Sequence, residues 1–325
     1  MGSSAGGVET LTRISRGLAP DLPASIFVVQ HMSPTSHSVL PDLLRRAGRL
    51  PAKHAVDGEE IRPQQIYVAP PDLHMLVYPG RIALRRGPQE NRTRPSLDPL
   101  FRSAAIAYGG RVIGVVLTGL LNDGTSGLIA IKRCGGLSVV QDVADATWPE
   151  MPRSALRRDH VDFTSTAAGL PRLLARLTRE AAGQTPPIPP ELIREVELAG
   201  QETLMLQPSG RPSPLTCPQC GGVLNEVHDD GAAQFRCQTG HAFSAEVLLS
   251  AQNDELERAL DVAVRTHRER STLFRRMQAL SDTRGQPHAA AAWKAAADEA
   301  ETLAGTISGA LAKLKKPAAD PEEPS

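Results

Sequence analysis

The chain has 325 residues, and its 36 Lys+Arg balance its 36 Asp+Glu to a formal net charge of zero. That balance argues against a nucleic-acid partner, which calls for a basic excess or stripe. No apolar run approaches the roughly 18 residues of a membrane span, and no charged n-region with an apolar core marks a secretory signal. The sequence therefore reads as soluble and cytoplasmic, with no nucleic acid and no membrane insertion.

The chain opens on Met-Gly-Ser-Ser-Ala-Gly-Gly and runs directly into a helical pattern from Val8. Three readings compete: a leader left from expression, a phosphate-cradling turn, and a serine lifted on a tight bend. No histidine run follows, and Gly2, Gly6 and Gly7 do not fit G-x-G-x-x-G. Gly2 to Gly6 does satisfy G-x-S-x-G, in which glycines permit a bend too tight for a Cβ and raise Ser4 to a helix N-terminus. The plainer alternative is that Ser4 merely caps that helix.

Ser25–Gln30, Val112–Leu117 and Leu137–Gln141 are unbroken β-branched or apolar runs, the pattern of strands buried on both faces. Helical patterns over Asp98–Tyr108 and Gly124–Arg133 lie between them. Such alternation predicts an α/β fold, a doubly wound and mostly parallel sheet. Three short runs (65–69, 73–78 and 82–84), separated by Pro70-Pro71 and Pro79-Gly80, predict an antiparallel excursion from that core.

Five regions follow from texture: an α/β domain over 1–183, a Pro-rich linker over 184–214, a Cys-containing module over 215–244, a helical hairpin over 245–316, and a disordered tail over 317–325. The module carries Cys217-Pro-Gln-Cys220-Gly-Gly and, seventeen residues after Cys220, Cys237-Gln-Thr-Gly-His241. C-x-x-C places two thiolates on one cation, and Cys237 with His241 completes a Cys3His set for structural zinc. His228 is the alternative fourth ligand, and Cys134, alone on a predicted helix, reads as an ordinary semi-buried residue. The hairpin rests on apolar spacing through Leu249, Leu256, Leu260 and Phe274, then Trp293, Ala300, Leu303 and Ile307, broken at Gly285-Gln-Pro287.

His31 directly follows the strand ending at Gln30, and Asp123 lies just past the strand ending at Leu117. In open α/β sheets, sites gather at the carboxyl ends of the strands. Ser4, His31 and Asp123 thus offer a nucleophile, a general base and a base-orienting carboxylate, with His74 as a rival base.

Gly2-Ser-Ser-Ala-Gly-Gly7, Val28-Val-Gln-His31, Tyr67-Val-Ala-Pro-Pro71, Arg94-Pro-Ser-Leu-Asp98, Phe101-Arg-Ser103, Leu117-Thr-Gly-Leu-Leu-Asn-Asp-Gly124 and Met151-Pro152 stand in the order of motifs in CheB-type protein-glutamate methylesterases of bacterial chemotaxis. Residues 1 to about 178 resemble that family's catalytic domain. The resemblance implies hydrolysis of glutamate γ-methyl esters on a chemoreceptor's cytoplasmic region, and deamidation of glutamine, without a catalytic cofactor. Ser4 is then the nucleophile, His31 the base and Asp123 its orienting partner, with the N–H groups of Leu120 and Ala5 at the oxyanion. The implied partners are methylated chemoreceptors and other chemotaxis signalling proteins. The best-known members also carry a receiver domain; nothing here resembles one, so control is expected to come from elsewhere.

Two departures stand out. The family usually reads Thr-Gly-Met-Gly where this chain has Thr118-Gly-Leu-Leu121, so a leucine replaces a glycine. The family's serine loop also follows a core strand, whereas only Met1 precedes it here. Two expectations follow: a start lying further upstream, or a domain without that strand. The second leads to the rival function, a non-catalytic adaptor binding receptor or signalling partners through the module and hairpin.

Overall fold

The computed structural model describes residues 1–158, 160–200, 210–229 and 232–314. They divide into two compact units, one over Met1–Leu248 and one beginning at Leu249.

In the first unit the chain runs β1 (Gly2–Ser3), α1 (Gly7–Gly17), β2 (Ile26–Gln30), α2 (Leu40–Ala47), β3 (Ala52–His54), β4 (Ile66–Val68), β5 (His74–Tyr78), β6 (Arg81–Arg85) and α3 (Leu97–Tyr108). It continues through β7 (Ile113–Val116), α4 (Thr125–Arg133), β8 (Leu137–Gln141), α5 (Glu150–Arg158), β9 (Phe163–Ser165), α6 (Leu170–Leu177) and α7 (Pro190–Ala199). Seven strands make one sheet in the order β3-β4-β2-β1-β7-β8-β9, parallel throughout.

Period-two alternation along each strand feeds two apolar layers. Val29, Val116 and Val140 pack with Leu97 and Phe101 of α3, Leu128 and Ile131 of α4, and Met151 of α5. Their neighbours Val28, Val115 and Val139 pack on the other face with Leu11 and Ile14 of α1, Leu44 of α2 and Leu174 of α6. This is the expected doubly wound layering, and it explains why these strands read as continuous apolar runs.

The core strand ahead of the serine loop is Gly2–Ser3 itself. It pairs with β2 on one side (Gly2↔Val29, Ser3↔Gln30) and with β7 on the other (Gly2↔Val116), and Val29 N donates to Met1 O at 3.0 Å. The antiparallel excursion is shorter than its punctuation suggests. β4 is a parallel strand between β2 and β3, and only β5 and β6 form an antiparallel pair. Pro70-Pro71 ends a core strand rather than turning a hairpin. Inside the Pro-rich stretch, α7 forms a helix: Leu192 joins the core beside α3, and Glu195 Oε2 lies 3.2 Å from Arg102 Nε. Cys134 is fully buried at the end of α4.

The Cys-containing region is a four-stranded antiparallel sheet of β10 (Arg211–Thr216), β11 (Val223–Asp229), β12 (Ala232–Cys237) and β13 (Ala242–Ser244). Its small core of Leu224, Phe235, Phe243 and Val247 also receives Leu121 from the loop after β7.

Two helices follow, α8 (Ala245–Thr283) and α9 (Pro287–Leu314). Gly285, at φ 66°, makes the break before Pro287 restarts the helix. Phe274 stacks on Trp293 at 5.8 Å, and α9 buries the small side chains of Ala290, Ala297, Ala300 and Ala304. Several leucines of the predicted stripe, Leu249 and Leu256 among them, remain exposed. The expected tail over 317–325 lies outside the described residues.

Candidate active site

Strand register brings Ser4 and His31 together. Ser3 opposes Gln30 across the parallel β1–β2 pair and His31 N donates to Ser3 O at 3.1 Å, so Ser4 and His31 leave adjacent strands side by side. Neighbouring strands lie about 4.8 Å apart, within reach of two side chains. Gln30 fixes both exits: its Nε2 donates to Ser4 O at 2.8 Å and to His31 O at 3.0 Å, while its Oε1 accepts Ser3 Oγ at 2.7 Å. Behind Ser4, Gly6 takes φ 74° as the N-cap of α1 and aims the first turn's N–H groups at the loop.

Asp123 receives the histidine. Its Oδ2 is 2.6 Å from His31 Nε2, which leaves Nδ1 as the ring nitrogen available to a serine. The carboxylate sits at the N-terminus of α3. Leu97 N donates to Oδ2 at 2.7 Å, while Ser96 Oγ and Asn91 Nδ2 donate to Oδ1 at 2.7 and 3.2 Å. Burial by itself would raise the Asp123 pKa; hydrogen bonding and charge from His31, with Leu97 N and Ser96, hold it below the ordinary carboxylate range instead. His74, the rival base, is fully buried: its Nε2 lies 2.8 Å from Pro88 O, and its Nδ1 accepts Ser96 N at 3.3 Å. Burial lowers its pKa, and with both ring nitrogens engaged by backbone groups it supports the Ser96 turn behind Asp123.

The loop after β7 closes the third side. Ser4 N donates to Thr118 O at 3.0 Å, and a Cβ built on Gly119 would lie 2.8 Å from Ser4 Cβ and collide with Met151 Sδ, so the close approach requires glycine. Gly119 N is taken by Trp148 O at 2.8 Å and Leu121 N by Glu150 Oε2 at 3.0 Å. Between them, Leu120 N has no acceptor among the described residues, and the same holds for Ala5 N. Leu121 adopts φ 64°, the conformation a glycine takes without cost. The replacement therefore keeps the loop's backbone, and its side chain gains the apolar cluster of the Cys-containing module.

Asn91 escapes the sequence reading, and Gln30, Ser96 and Asp98 stand there only as members of quoted motifs, without a role. The available signal was polarity out of place, such as a glutamine closing an apolar strand and an Arg-Pro-Ser-Leu-Asp segment opening a helix.

Cys217, Cys220, Cys237 and His241 converge, with their ligand atoms all within 4.8 Å of one another. Both halves are knuckles: Gly221 N donates to Cys217 O at 2.8 Å, and Gly240 N to Cys237 O at 2.9 Å. Cys220 Sγ and Cys237 Sγ are 3.7 Å apart, and His241 Nδ1 lies 3.6 Å from Cys217 Sγ and 3.5 Å from Cys237 Sγ. A tetrahedral zinc ion with bonds of about 2.3 Å to sulfur and about 2.05 Å to nitrogen implies separations of about 3.8 and 3.6 Å. The set is therefore shaped for such a cation, and His228 lies among residues whose side chains are not described.

A serine, a histidine and a buried aspartate thus stand on one carboxyl edge of a doubly wound sheet, with the histidine on the aspartate. The CheB methylesterase family model matches residues 1–174, and the chain belongs to that family. It is 38% identical over 179 residues to protein-glutamate methylesterase/protein-glutamine glutaminase 2 of Anaeromyxobacter dehalogenans, covering 55% of this chain and 52% of that protein. It is 43% identical over 155 residues to the protein of the same name from Caulobacter vibrioides, covering 46% and 45%. The chain thus spans about half the length of these two relatives. The crystal structure of the Thermotoga maritima CheB methylesterase catalytic domain superposes with a TM-score of 0.52 at 34% identity, over 54% of this chain and 95% of that one.

Proposed function

We propose that this protein hydrolyses glutamate γ-methyl esters on the cytoplasmic region of methylated chemoreceptors, and deamidates glutamine there by the same acyl chemistry. Residues 1–183 act as the catalytic domain. Ser4 Oγ attacks the ester carbonyl while His31 takes its proton, and Asp123 stabilises the imidazolium that forms. The N–H groups of Leu120 and Ala5 hold the oxyanion; one such donor is worth about 3–4 kcal/mol in the transition state. His31 then protonates the departing methanol, and water enters by the reverse sequence to release the glutamate.

The observation that carries this reading is the 2.6 Å contact of His31 Nε2 with Asp123 Oδ2 beside a serine in the next register position. The adaptor alternative presupposes a missing first strand, and the pairing of Gly2–Ser3 with both neighbouring strands speaks for the enzyme. Catalysis needs no cofactor in this scheme. Structural zinc belongs to Cys217, Cys220, Cys237 and His241 in a module over 215–244, after a linker over 184–214 and before a helical hairpin over 245–316. A cytoplasmic location follows from the substrate, and the described residues contain no helix long and apolar enough to cross a membrane.

Methanol release from methylated chemoreceptor tests the reading. The wild-type chain is expected to release methanol and Ser4→Ala to release none. Equal release by both proteins would sink it.

A further inference from the structure

Hydrogen bonds connect the Cys-containing module to the catalytic aspartate within a few residues. His241 is followed by Ala242, whose N donates to Gln89 O at 3.2 Å and whose O accepts Asn91 N at 2.9 Å. Two residues on, Ser244 N donates to Asn91 Oδ1 at 3.2 Å. With its oxygen end held by the module, the Asn91 amide presents Nδ2 to Asp123 Oδ1 at 3.2 Å and to Asp98 Oδ2 at 2.9 Å. Turned over, the same amide would place its oxygen against two carboxyl groups and its NH2 against an N–H donor, so Ser244 N selects the orientation that Asp123 needs.

A second contact reinforces the first. Asn122, next to Asp123, donates Nδ2 to Ser244 Oγ at 2.8 Å and to Glu246 Oε2 at 2.9 Å. Asn91 itself stands at φ 51°, a conformation that asparagine and glycine tolerate best. The module buries few large apolar residues, so a bound cation would supply much of the energy that orders its knuckles. Cys237 N donates to His241 O at 3.0 Å, so ordering this knuckle also orders the start of β13.

We propose that Asn91 is a positioning residue for Asp123, and that metal bound by Cys217, Cys220, Cys237 and His241 sets it, so metal occupancy and the His31–Asp123 pair are coupled. The inference rests on the zinc and esterase readings above. It makes the module a brace on the site, acting through Ala242 and Ser244 on Asn91 and through Asn91 on the carboxylate. Loss of the metal loosens β13, frees the amide to turn and weakens the hold of Asp123 on His31.

The test reads the downfield imidazole N–H proton of His31 by NMR in the full chain, with zinc content measured on the same samples and His31→Gln used for assignment. Zinc-loaded wild type is expected to show the resonance, and chelation or Cys220→Ser to shift or broaden it. Asn91→Gly, which keeps the left-handed backbone but lacks the amide, should bind zinc fully, resemble zinc-free wild type, and no longer respond to chelation. Its kcat for ester hydrolysis should fall about 10- to 100-fold, the usual cost of a slightly misplaced catalytic group, with KM nearly unchanged. A resonance indifferent to zinc in the wild type, an Asn91→Gly protein that still responds to chelation, or a chain that takes up no zinc would each overturn the inference. Ser4→Ala keeps the two readings apart: it removes hydrolysis and leaves the zinc response of His31 in place. A chain that hydrolyses no ester yet shows that response loses the esterase reading and retains the brace.

Discussion

Asp98 and Asp123 share one donor: Asn91 Nδ2 lies 2.9 Å from an oxygen of the first and 3.2 Å from an oxygen of the second. Both carboxyl groups are buried, and they resolve the conflict by opposite shifts. Burial first, and then the charge of Asp123, push Asp98 well above its ordinary value, whereas the bonds from His31, Leu97 N and Ser96 outweigh burial and hold Asp123 ionised.

The folded state retains the Asp98 proton above pH ~4, where an unfolded chain releases it, so this group costs stability increasingly as pH rises toward its folded pKa. Asp123 does the reverse, contributing stability above pH ~4 that is lost as pH falls through its depressed folded value. Urea melts at several pH values should show the stability difference, Asp98→Asn minus wild type, growing as pH rises above about 4. A difference independent of pH would contradict the protonated Asp98.

Leu121 holds a left-handed backbone and spends its side chain on the module's apolar cluster. Leu121→Ala loses the packing and keeps the strain, at about 1–2 kcal/mol. Leu121→Gly loses the same packing but relieves the strain, so it should be the milder change by about 1 kcal/mol. Denaturant midpoints rank the two; alanine equal to or better than glycine would refute the account.

Arg102, 1% exposed on α3, pairs with Glu90 and with Glu195 of α7. Removing one partner of a buried ion pair leaves an uncompensated charge and typically costs about 3–5 kcal/mol. Arg102→Ala should cost that much and release α7, measurable as faster proteolysis near residue 190. A loss under about 1 kcal/mol would mean that water reaches these carboxylates.

If the Cys3His set holds zinc, chelation should lower the unfolding midpoint of the Met1–Leu248 unit, which contains both the module and the seven-stranded sheet. Without an ion, burial pushes the Cys217 thiol up to about 12. Zinc uptake near neutral pH must then release protons, and apparent zinc affinity should fall as pH falls. A pH indicator in weak buffer reads the release; metal uptake with no proton release would argue against thiolate ligation.

Much of this was legible in one dimension. Alternating apolar runs and helical patterns marked the doubly wound sheet because strands buried on both faces need continuous Val and Ile. The C-x-x-C and C-x-x-x-H spacings marked the cluster because each knuckle is local. The antiparallel excursion is confined to β5 and β6 because Ile66–Val68 pairs with β2 and β3, and proline punctuation says where a strand ends rather than which partner it takes. The helix at Pro190–Ala199 was hidden in a proline-rich stretch because its stability comes from docking through Leu192 and Glu195.

The sequence by itself determined the residue types at the site, their positions after particular strands, and the ligand spacing of the module, all of which depend on propensity and short-range geometry. Only the tertiary structure decided that Ser4 stands beside His31, that His74 is buried with both ring nitrogens on backbone groups, and that Asn91 faces Asp123 while held by Ser244. Those relationships depend on strand register and on hydrogen bonds between segments up to 153 residues apart, as from Asn91 to Ser244. Burial makes each such bond costly to leave unmade, and no local pattern encodes which distant group will supply it.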